Sequence, residues 1–523
     1  MKPPIVWSVA GLDSGGGAGL GADQRMAEAC GVHLCPVAAA LTAQNSVAVE
    51  RVQAVEPAML EAQLTALASD LPPAAVKTGL LGSVENVAVL ARCIDRLRER
   101  DPALPVIVDP VLRASTGAAF ADEALIAAYR AHLVPRASAI TPNRAEATRL
   151  AGPVAGPADL PALARALQAM GAASVCITGG DIEEPEAAEA LDWLVTAQAR
   201  GWLAAERVAT AHTHGSGCSF ASAWAAAAAR GFVDADAAVI AKMAAQHAVR
   251  RGEPLGAGAG AVRAEAGFIL GRLPRLSLDA APIEATVEAG ARLASRFEPG
   301  LYAIVDSAEA AERVVRAGVR TVQLRIKAPN DAQALRTAIV RARVATRAAG
   351  ARLVVNDHWA LAIELGADAV HLGQEDLLAL DAAQRRALAA ARHAGLRLGI
   401  SSHSLWELCR ALALQPDYVA CGPVWPTTTK AMPWHRQGLG NLGWWVRAAG
   451  VPVVAIGGVL APAQAALAAR CGAAGVCLVR AINVDPSSSV PCFAAAWHEG
   501  RAAEPIPAPS WPVPSLPRAQ ASS

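Results

Sequence analysis

Thr210–Cys218 reads TAHTHGSGC, and the chain continues as SFASAWAAAAARG to Gly231. A Gly-Ser-Gly turn over Gly215–Gly217 lets successive backbone N–H groups point into one concavity. The small-residue helix pattern behind it adds the positive end of its dipole, so the stretch is an anion cradle. Cys218 falls at the helix N-terminus, where a thiol is expected to lose its proton more readily and where a side chain can meet a phosphate acceptor. Taken alone, the same letters also fit a flexible loop before a buried Ala-rich helix with a core cysteine. The strands upstream decide between the two.

Ile5–Val9 is a β-branched run that enters GLDSGGGAGLGAD, a strand leading into a Gly-rich turn and then a helix. No Gly-Lys-Ser/Thr follows, so this is not a P-loop. Gly17, Gly19 and Ala22 fit a loose dinucleotide fingerprint, but the acidic residue that would hold a ribose is missing. Asp13 and Asp23 flank the glycines and suit either bonds to a small polar substrate or a helix cap and a first-turn acid. Apolar runs at Val37–Leu41, Ala74–Leu81, Pro105–Leu112, Ala137–Thr141 and Ser174–Thr178 then alternate with helical patterns. That rhythm predicts a parallel sheet covered on both faces, which binds ligands beyond the carboxyl ends of its strands. Polar residues stand at those ends: Gln44 with Asn45, Lys77 with Thr78, Asp109, Asn143 with Glu146, and Asp181 after Gly179-Gly180. Converging with the cradle, they predict phosphoryl transfer, with Asp109 and Glu146 holding Mg²⁺ beside phosphate oxygens.

The motifs GLDSGGGAG, LTAQNSV, VDPVL, TPNRAEA, ITGG and THGSGCS together resemble the hydroxymethylpyrimidine/phosphomethylpyrimidine kinases, over about residues 1–270. The resemblance implies a ribokinase-like fold, ATP as co-substrate, and Gln44 at the aminopyrimidine. It places the phosphoryl group on Gly215–Gly217 and Cys218 where sugar kinases of the superfamily carry an Asp base. The chain departs from that pattern at Thr178, where a Lys is usual before Gly-Gly, and at His212, where an Asn is frequent. Pyridoxal kinases share similar motifs, and a pyrimidine-binding module without turnover is the reading that Thr178 keeps open.

Residues 276–296 read as a linker, with a helix predicted over Ile283–Ala294, and a second regular alternation begins near Phe297. Its strand candidates are Leu301–Val305, Thr321–Leu324, Leu353–Val355, Ala369–Leu372, Leu398–Ser401, Tyr418–Cys421, Val451–Ile456 and Gly475–Val479. Eight β units in so short a span predict a compact (β/α)₈ barrel over 297–500, with a doubly wound sheet as the alternative. Polar groups again gather at strand ends. Arg325, Lys327 and Lys430 are cations suited to a diphosphate, Asp357 and Asp376 suit Mg²⁺, and Gly457-Gly458 with Arg480-Ala481 occupy the barrel position where phosphate sites are built.

QLRIK, VNDHWALA, AVHLGQED, GPVWPTTTK and AIGG resemble thiamine phosphate synthase over about residues 298–495. That resemblance assigns Gln323, Arg325, Lys327 and Asn356 to a pyrimidine diphosphate, Asp357 and Asp376 to Mg²⁺, and Ser401 to the pyrimidine amino group. It gives Lys430 to the departing pyrophosphate. Thr427, Thr428, Thr429, Gly458 and the Val479-Arg480 backbone go to a thiazole phosphate.

Composition agrees with two buried domains. The chain has 523 residues, 53% hydrophobic and 18% charged, and its net charge of +1 offers no electrostatic attraction to nucleic acid or an anionic membrane. Ten cysteines without a C-x-x-C pair read as thiols in a reducing cytoplasm. The start MKPPIVWSVAGLD lacks a signal-type apolar region, and Phe220–Ala229 is too short to span a bilayer. The Pro-rich stretch 501–523 reads as a disordered tail. Small molecules are the expected partners, and a homo-oligomer is compatible with the sequence. The whole reads as a bifunctional transferase: a ribokinase-like domain over 1–275 makes a pyrimidine diphosphate, which the barrel joins to a thiazole phosphate.

Overall fold

A computed structural model describes residues 2–113, 120–152, 160–179, 188–280, 297–327, 331–427 and 433–518. The chain divides into two compact units, Met1–Ala285 with Pro517–Ser523, and Thr286–Leu516. The predicted linker helix lies outside the described residues.

The first unit is built on ten strands: β1 (Ile5–Asp13), β2 (His33–Gln44), β3 (Val49–Ala54), β4 (Ala75–Thr78), β5 (Val106–Val108), β6 (Ala139–Ile140), β7 (Ser174–Ile177), β8 (Glu189–Val195), β9 (Arg200–Glu206) and β10 (Arg275–Leu276). They pair in the order β10-β9-β8-β7-β6-β5-β4-β1-β2-β3. From β7 to β2 every pairing is parallel. The central strands VIV and SVCI are buried throughout, as strands covered on both faces must be. The edges extend the expected parallel sheet: β3 returns antiparallel on β2, and β8, β9 and β10 add an antiparallel ribbon at the other side. Their mixed-polarity sequences lack the continuous apolar run that marked the inner strands. Helix Ser216–Ala229 is buried from Ser219 to Ala228, and its alanines let it sit deep in the layer with Trp224 fully enclosed.

The second unit is a closed barrel of β11 (Gly300–Val305), β12 (Thr321–Leu324), β13 (Arg352–Asn356), β14 (Ala369–Leu372), β15 (Arg397–Ser402), β16 (Tyr418–Cys421), β17 (Val453–Ala455) and β18 (Gly475–Leu478). All pairings are parallel, and β11 closes on β18. Each of the eight strand candidates becomes a strand. Side-chain hydroxyls and carboxylates start several of the helices: Ser307 accepts a hydrogen bond from the Ala310 N–H, and Asp331 one from the Ala334 N–H. Inside the barrel Phe297, Tyr302, Val354, Tyr418 and Val454 pack into one cluster. The segment expected to be a disordered tail is ordered as far as it is described. Helix Pro486–Ala502 runs into a coil whose Ile506 N–H donates to the Arg470 carbonyl and whose Val513 N–H donates to Asn441 Oδ1. Proline removes donors from this stretch, and the Ile506 and Val513 N–H groups find their partners on barrel helices. Among the described residues no helix is long and apolar enough to cross a membrane.

Candidate active sites

In the first unit the carboxyl ends of the parallel strands open into a cavity of about 720 Å³. Gln44, Asp109, Glu146, Thr178 and Cys218 line it together with the 213–217 turn. Two glycines make this floor. Gly215 has φ +89°, and a Cβ there would stand 2.2 Å from the Gly17 carbonyl oxygen. A Cβ on Gly17 would stand 2.2 Å from His214 Cδ2, so the two Gly-rich turns of the sequence are pressed together. Gly217 faces open space, which leaves its backbone N–H approachable. Asp13 ties the first turn together by accepting hydrogen bonds from the Gly15, Gly17 and Ala18 N–H groups. Its Oδ2 also lies 2.9 Å from His214 Nε2, which in turn lies 3.4 Å from Gln44 Nε2.

Beneath the cavity lies a charge cluster that the sequence did not announce as one. Lys77 is fully buried in β4 and donates to both carboxylate oxygens of Asp23 at 3.0 Å. Ser8 and Ser222 donate to the same carboxylate at 2.6 and 2.7 Å. Asp23 was expected at the substrate; it is instead enclosed, with its oxygens committed to these donors, and Asp13 is the aspartate that faces the cavity. Lys77 Nζ also stands 3.6 Å from Asp109 Oδ2, a buried oxygen that accepts no hydrogen bond. Burial, opposed by Lys77, pushes the Asp109 carboxyl up to about 6. Burial likewise pushes the Cys218 thiol up to about 12, with Lys77 pulling it down and Asp109 and Asp23 adding to the rise. The direction is opposite to the lowered thiol that a helix N-terminus suggests, although Cys218 is itself half-buried at the cavity wall. Glu146 caps helix Arg144–Ala151 in a capping box with Asn143, and its Oε1 accepts the Leu112 N–H at 3.3 Å. Asp181 and Gly180 lie outside the described residues.

In the second unit the assigned residues that are described stand at or beyond the carboxyl halves of the barrel strands. Gln323, Arg325 and Lys327 follow one another along and beyond β12, Asn356 ends β13, and Ser401 is on β15. Asp357 has φ +62°, a backbone conformation unusual outside glycine, held by its N–H donating to the His371 carbonyl at 3.0 Å. That strained turn brings its carboxylate to Asp376. Burial, the neighbouring Asp376 charge and a hydrogen bond between the two raise the Asp357 carboxyl above its ordinary range, while Arg325 and Lys327 oppose the rise. Asp376 Oδ2 also accepts the Gly373 N–H at 2.8 Å, which fixes it at the start of helix Gln374–Ala379. Gly458 has φ +73°, and a Cβ there would stand 2.5 Å from the Pro426 carbonyl. It stands just past β17, Val479 and Arg480 follow β18, and Thr427 lies in the loop after β16. Thr428, Thr429 and Lys430 lie outside the described residues.

Two family models match the chain: Phosphomethylpyrimidine kinase over residues 13–263 and Thiamine monophosphate synthase over residues 301–482. A probable thiamine biosynthetic bifunctional enzyme of Oryza sativa is 31% identical over 474 residues, covering 88% of this chain and 82% of that protein. The chain belongs to the bifunctional thiamine biosynthetic enzymes. Each half also has a separate relative. A hydroxymethylpyrimidine/phosphomethylpyrimidine kinase of Synechococcus elongatus is 43% identical over 261 residues, 50% of this chain and 97% of that one. A thiamine-phosphate synthase of Rhizobium etli is 50% identical over 192 residues, 36% of this chain and 90% of that one. In this chain the kinase match precedes the synthase match.

Three features of these sites escaped the sequence reading. Lys77 stood only as a polar strand end, although a lysine inside the buried strand AVKT signals a paired charge. The Asp13–His214 pair joins residues 201 positions apart, which no local pattern reveals. The third is a buried string of polar side chains through the barrel, Gln323, Tyr302, Tyr418, His371 and Ser401. Burial, reinforced by Arg325, pulls the His371 imidazole down to about 4, so the ring is neutral near pH 7.

Proposed function

We propose that the first unit phosphorylates hydroxymethylpyrimidine and then its monophosphate with ATP, and that the barrel couples the diphosphate to hydroxyethylthiazole phosphate, releasing pyrophosphate. What carries this reading is the pairing, in one chain, of a glycine-built phosphoryl cradle with a barrel mouth bearing two adjoining carboxylates.

In the kinase unit Gln44 would hold the pyrimidine, and the Gly215–Gly217 backbone would receive charge as it develops on the moving phosphoryl group. Cys218, as its thiolate, would take the substrate's hydroxyl proton late in the transfer and become the neutral thiol, with Lys77 favouring the thiolate beforehand against burial. Asp109, with its unpaired oxygen, and Glu146, whose remaining lone pairs suit a water, would hold Mg²⁺. In the barrel the same ion would sit on Asp357 and Asp376, whose mutual repulsion a divalent cation relieves. Bound there, Mg²⁺ supplies charge neutralisation at phosphate oxygens. Arg325, Lys327 and Lys430 would add cationic stabilisation of the leaving pyrophosphate, Gln323 and Asn356 would orient it, and Ser401 would accept from the pyrimidine amino group. The thiazole phosphate would lie on Thr427–Thr429, Gly458 and the Val479-Arg480 backbone, its ring nitrogen aimed at the pyrimidine cation left when the C–O bond breaks. No protein nucleophile is needed. All ten cysteines are free, which suits a reducing compartment such as the cytoplasm.

Incubation with hydroxymethylpyrimidine, thiazole phosphate and Mg-ATP, followed by mass detection, should yield thiamine phosphate. Absence of product from that mixture, with product formed when the pyrimidine diphosphate is supplied, would remove the kinase assignment. Absence from both would remove the synthase assignment.

A further inference from the structure

Five side chains form one continuous hydrogen-bonded string through the barrel interior. Gln323 Nε2 donates to Tyr302 Oη at 3.0 Å, and Tyr302 Oη lies 2.7 Å from Tyr418 Oη. Tyr418 Oη lies 2.9 Å from His371 Nδ1, and His371 Nε2 lies 2.8 Å from Ser401 Oγ. The string is built into the fold. A Cβ on Gly399 would stand 2.0 Å from Tyr418 Cζ, so the glycine makes room for this ring. Phe297 and His371 stack on Tyr418 with centroids 5.0 and 5.6 Å away.

Each hydroxyl has one hydrogen, and the neutral imidazole has one donor and one acceptor. Only two directions therefore make every link and leave neither tyrosine hydrogen unpaired. When the Gln323 amide donates, Tyr302 donates to Tyr418, Tyr418 to His371 Nδ1, and His371 Nε2–H to Ser401. The Ser401 hydrogen then points to the barrel mouth, and Gln323 shows its oxygen there. In the opposite direction Ser401 donates to His371 Nε2, Nδ1–H donates to Tyr418, Tyr418 to Tyr302, and Tyr302 to Gln323 Oε1. Gln323 then shows its NH₂ to the mouth and Ser401 offers only lone pairs. Passing from one to the other turns the amide over and moves the imidazole proton between nitrogens, with no net gain or loss of protons. A mixed arrangement makes one tyrosine oxygen accept from both sides and leaves that tyrosine's own hydrogen unpaired in a dry interior.

We propose that Tyr302, Tyr418 and His371 are positioning residues that couple recognition of the diphosphate at Gln323 to recognition of the exocyclic amino group at Ser401. This rests on the assignment of those two residues to the two ends of the substrate. An anionic diphosphate requires donors, and an amino group requires an acceptor, so both ends select the second direction. The barrel thus reads an amino group and a diphosphate as one all-or-none pattern.

The test uses the full chain, started with the pyrimidine diphosphate and thiazole phosphate without ATP. The quantity measured is the ratio of kcat/KM for the 4-amino substrate to that for the analogue carrying hydrogen at that position. Removing Gln323 leaves the Tyr302 hydrogen only Tyr418 as acceptor, which locks the first direction. Gln323→Ala should therefore lower the ratio at least about fivefold, the effect of one buried donor left unpaired, although Gln323 does not touch the amino group. In Tyr418→Phe, which keeps the ring stacking, the same substitution should leave the ratio unchanged. Tyr302→Phe provides the second background and should behave alike. An unchanged ratio in Gln323→Ala, or an equal fall in both phenylalanine backgrounds, overturns the coupling. If Ser401→Ala leaves the ratio unaltered, the underlying assignment of the amino group is what fails.

Discussion

Asp23 is the residue whose role a single substitution separates most sharply. Standing beside a Gly-rich turn it reads as a substrate ligand, whereas in the fold it anchors Lys77 in a fully buried ion pair with both oxygens engaged. Asp23→Asn keeps the shape and the contacts of Ser8 and Ser222 but removes the charge that Lys77 faces. Breaking one side of a buried pair costs about 3–5 kcal/mol, because the remaining ion stays desolvated. Asp109, 3.6 Å from Lys77, takes up part of that charge, so the lower end of the range applies. For a unit of this size about 3 kcal/mol corresponds to a fall in Tm of roughly 6–12 °C. Thermal unfolding of the full chain, with synthase activity following the barrel separately, should show the loss confined to the kinase transition. Asp23→Asn combined with Lys77→Met should recover much of it, since replacing both partners removes the stranded charge. A wild-type kinase transition in Asp23→Asn, together with a raised KM for the pyrimidine, would refute the structural assignment and restore the ligand reading.

Asp109 supplies a pH prediction. Its carboxyl is raised to about 6 in the folded unit, so kinase kcat/KM should fall as pH drops through about 6, and Asp109→Asn should abolish that limb along with most activity. Because the folded value exceeds the unfolded one, this group's contribution to stability is fully present below the ordinary carboxylate range near 4 and is lost as pH rises through about 6. Denaturant midpoints from pH 4 to 7 on Asp109→Asn against wild type check the sign. Cys218→Ala should leave ATP binding intact and lower kinase turnover by about 10²–10⁴-fold, and near wild-type turnover would end the proton-accepting role. Alkylation of Cys218 in the wild type should be slow at neutral pH and quicken toward pH 12. Asp376→Ala should abolish Mg²⁺-dependent coupling in the barrel while leaving the ATP-dependent steps unchanged, read by mass detection of the diphosphate accumulating. Gly458→Ala should raise the KM for thiazole phosphate, because the new Cβ falls 2.5 Å from the Pro426 carbonyl.

How much of this was legible depended on the range over which each signal acts. The inner parallel strands were visible because burial on both faces demands apolar runs, as in VIV and SVCI, and the barrel strands showed as shorter apolar runs at regular spacing with polar residues at their ends. The antiparallel ribbon of β8, β9 and β10 was not, since charged residues interrupt or bound the apolar runs in EALDWLV and RGWLAAE. The tail misled for a similar reason: proline-rich composition argues against helix and sheet, yet not against a coil whose few N–H groups meet partners from other elements.

The TAHTHGSGC turn, the pairing of Asn356 with Asp357 and the two-domain order were determined by local spacing and residue type alone. The tertiary structure decided the charge states and the partners. Cys218 stands where a helix dipole should favour its thiolate, but burial beside Asp109 and Asp23 reverses the preference. Asp13 and Asp23 look interchangeable in the chain, and only packing sends one to the cavity wall and the other beneath Lys77. Desolvation and long-range pairing act through space between residues as far apart as Ser8 and Ser222, and a linear pattern carries no record of which groups will share a dry interior.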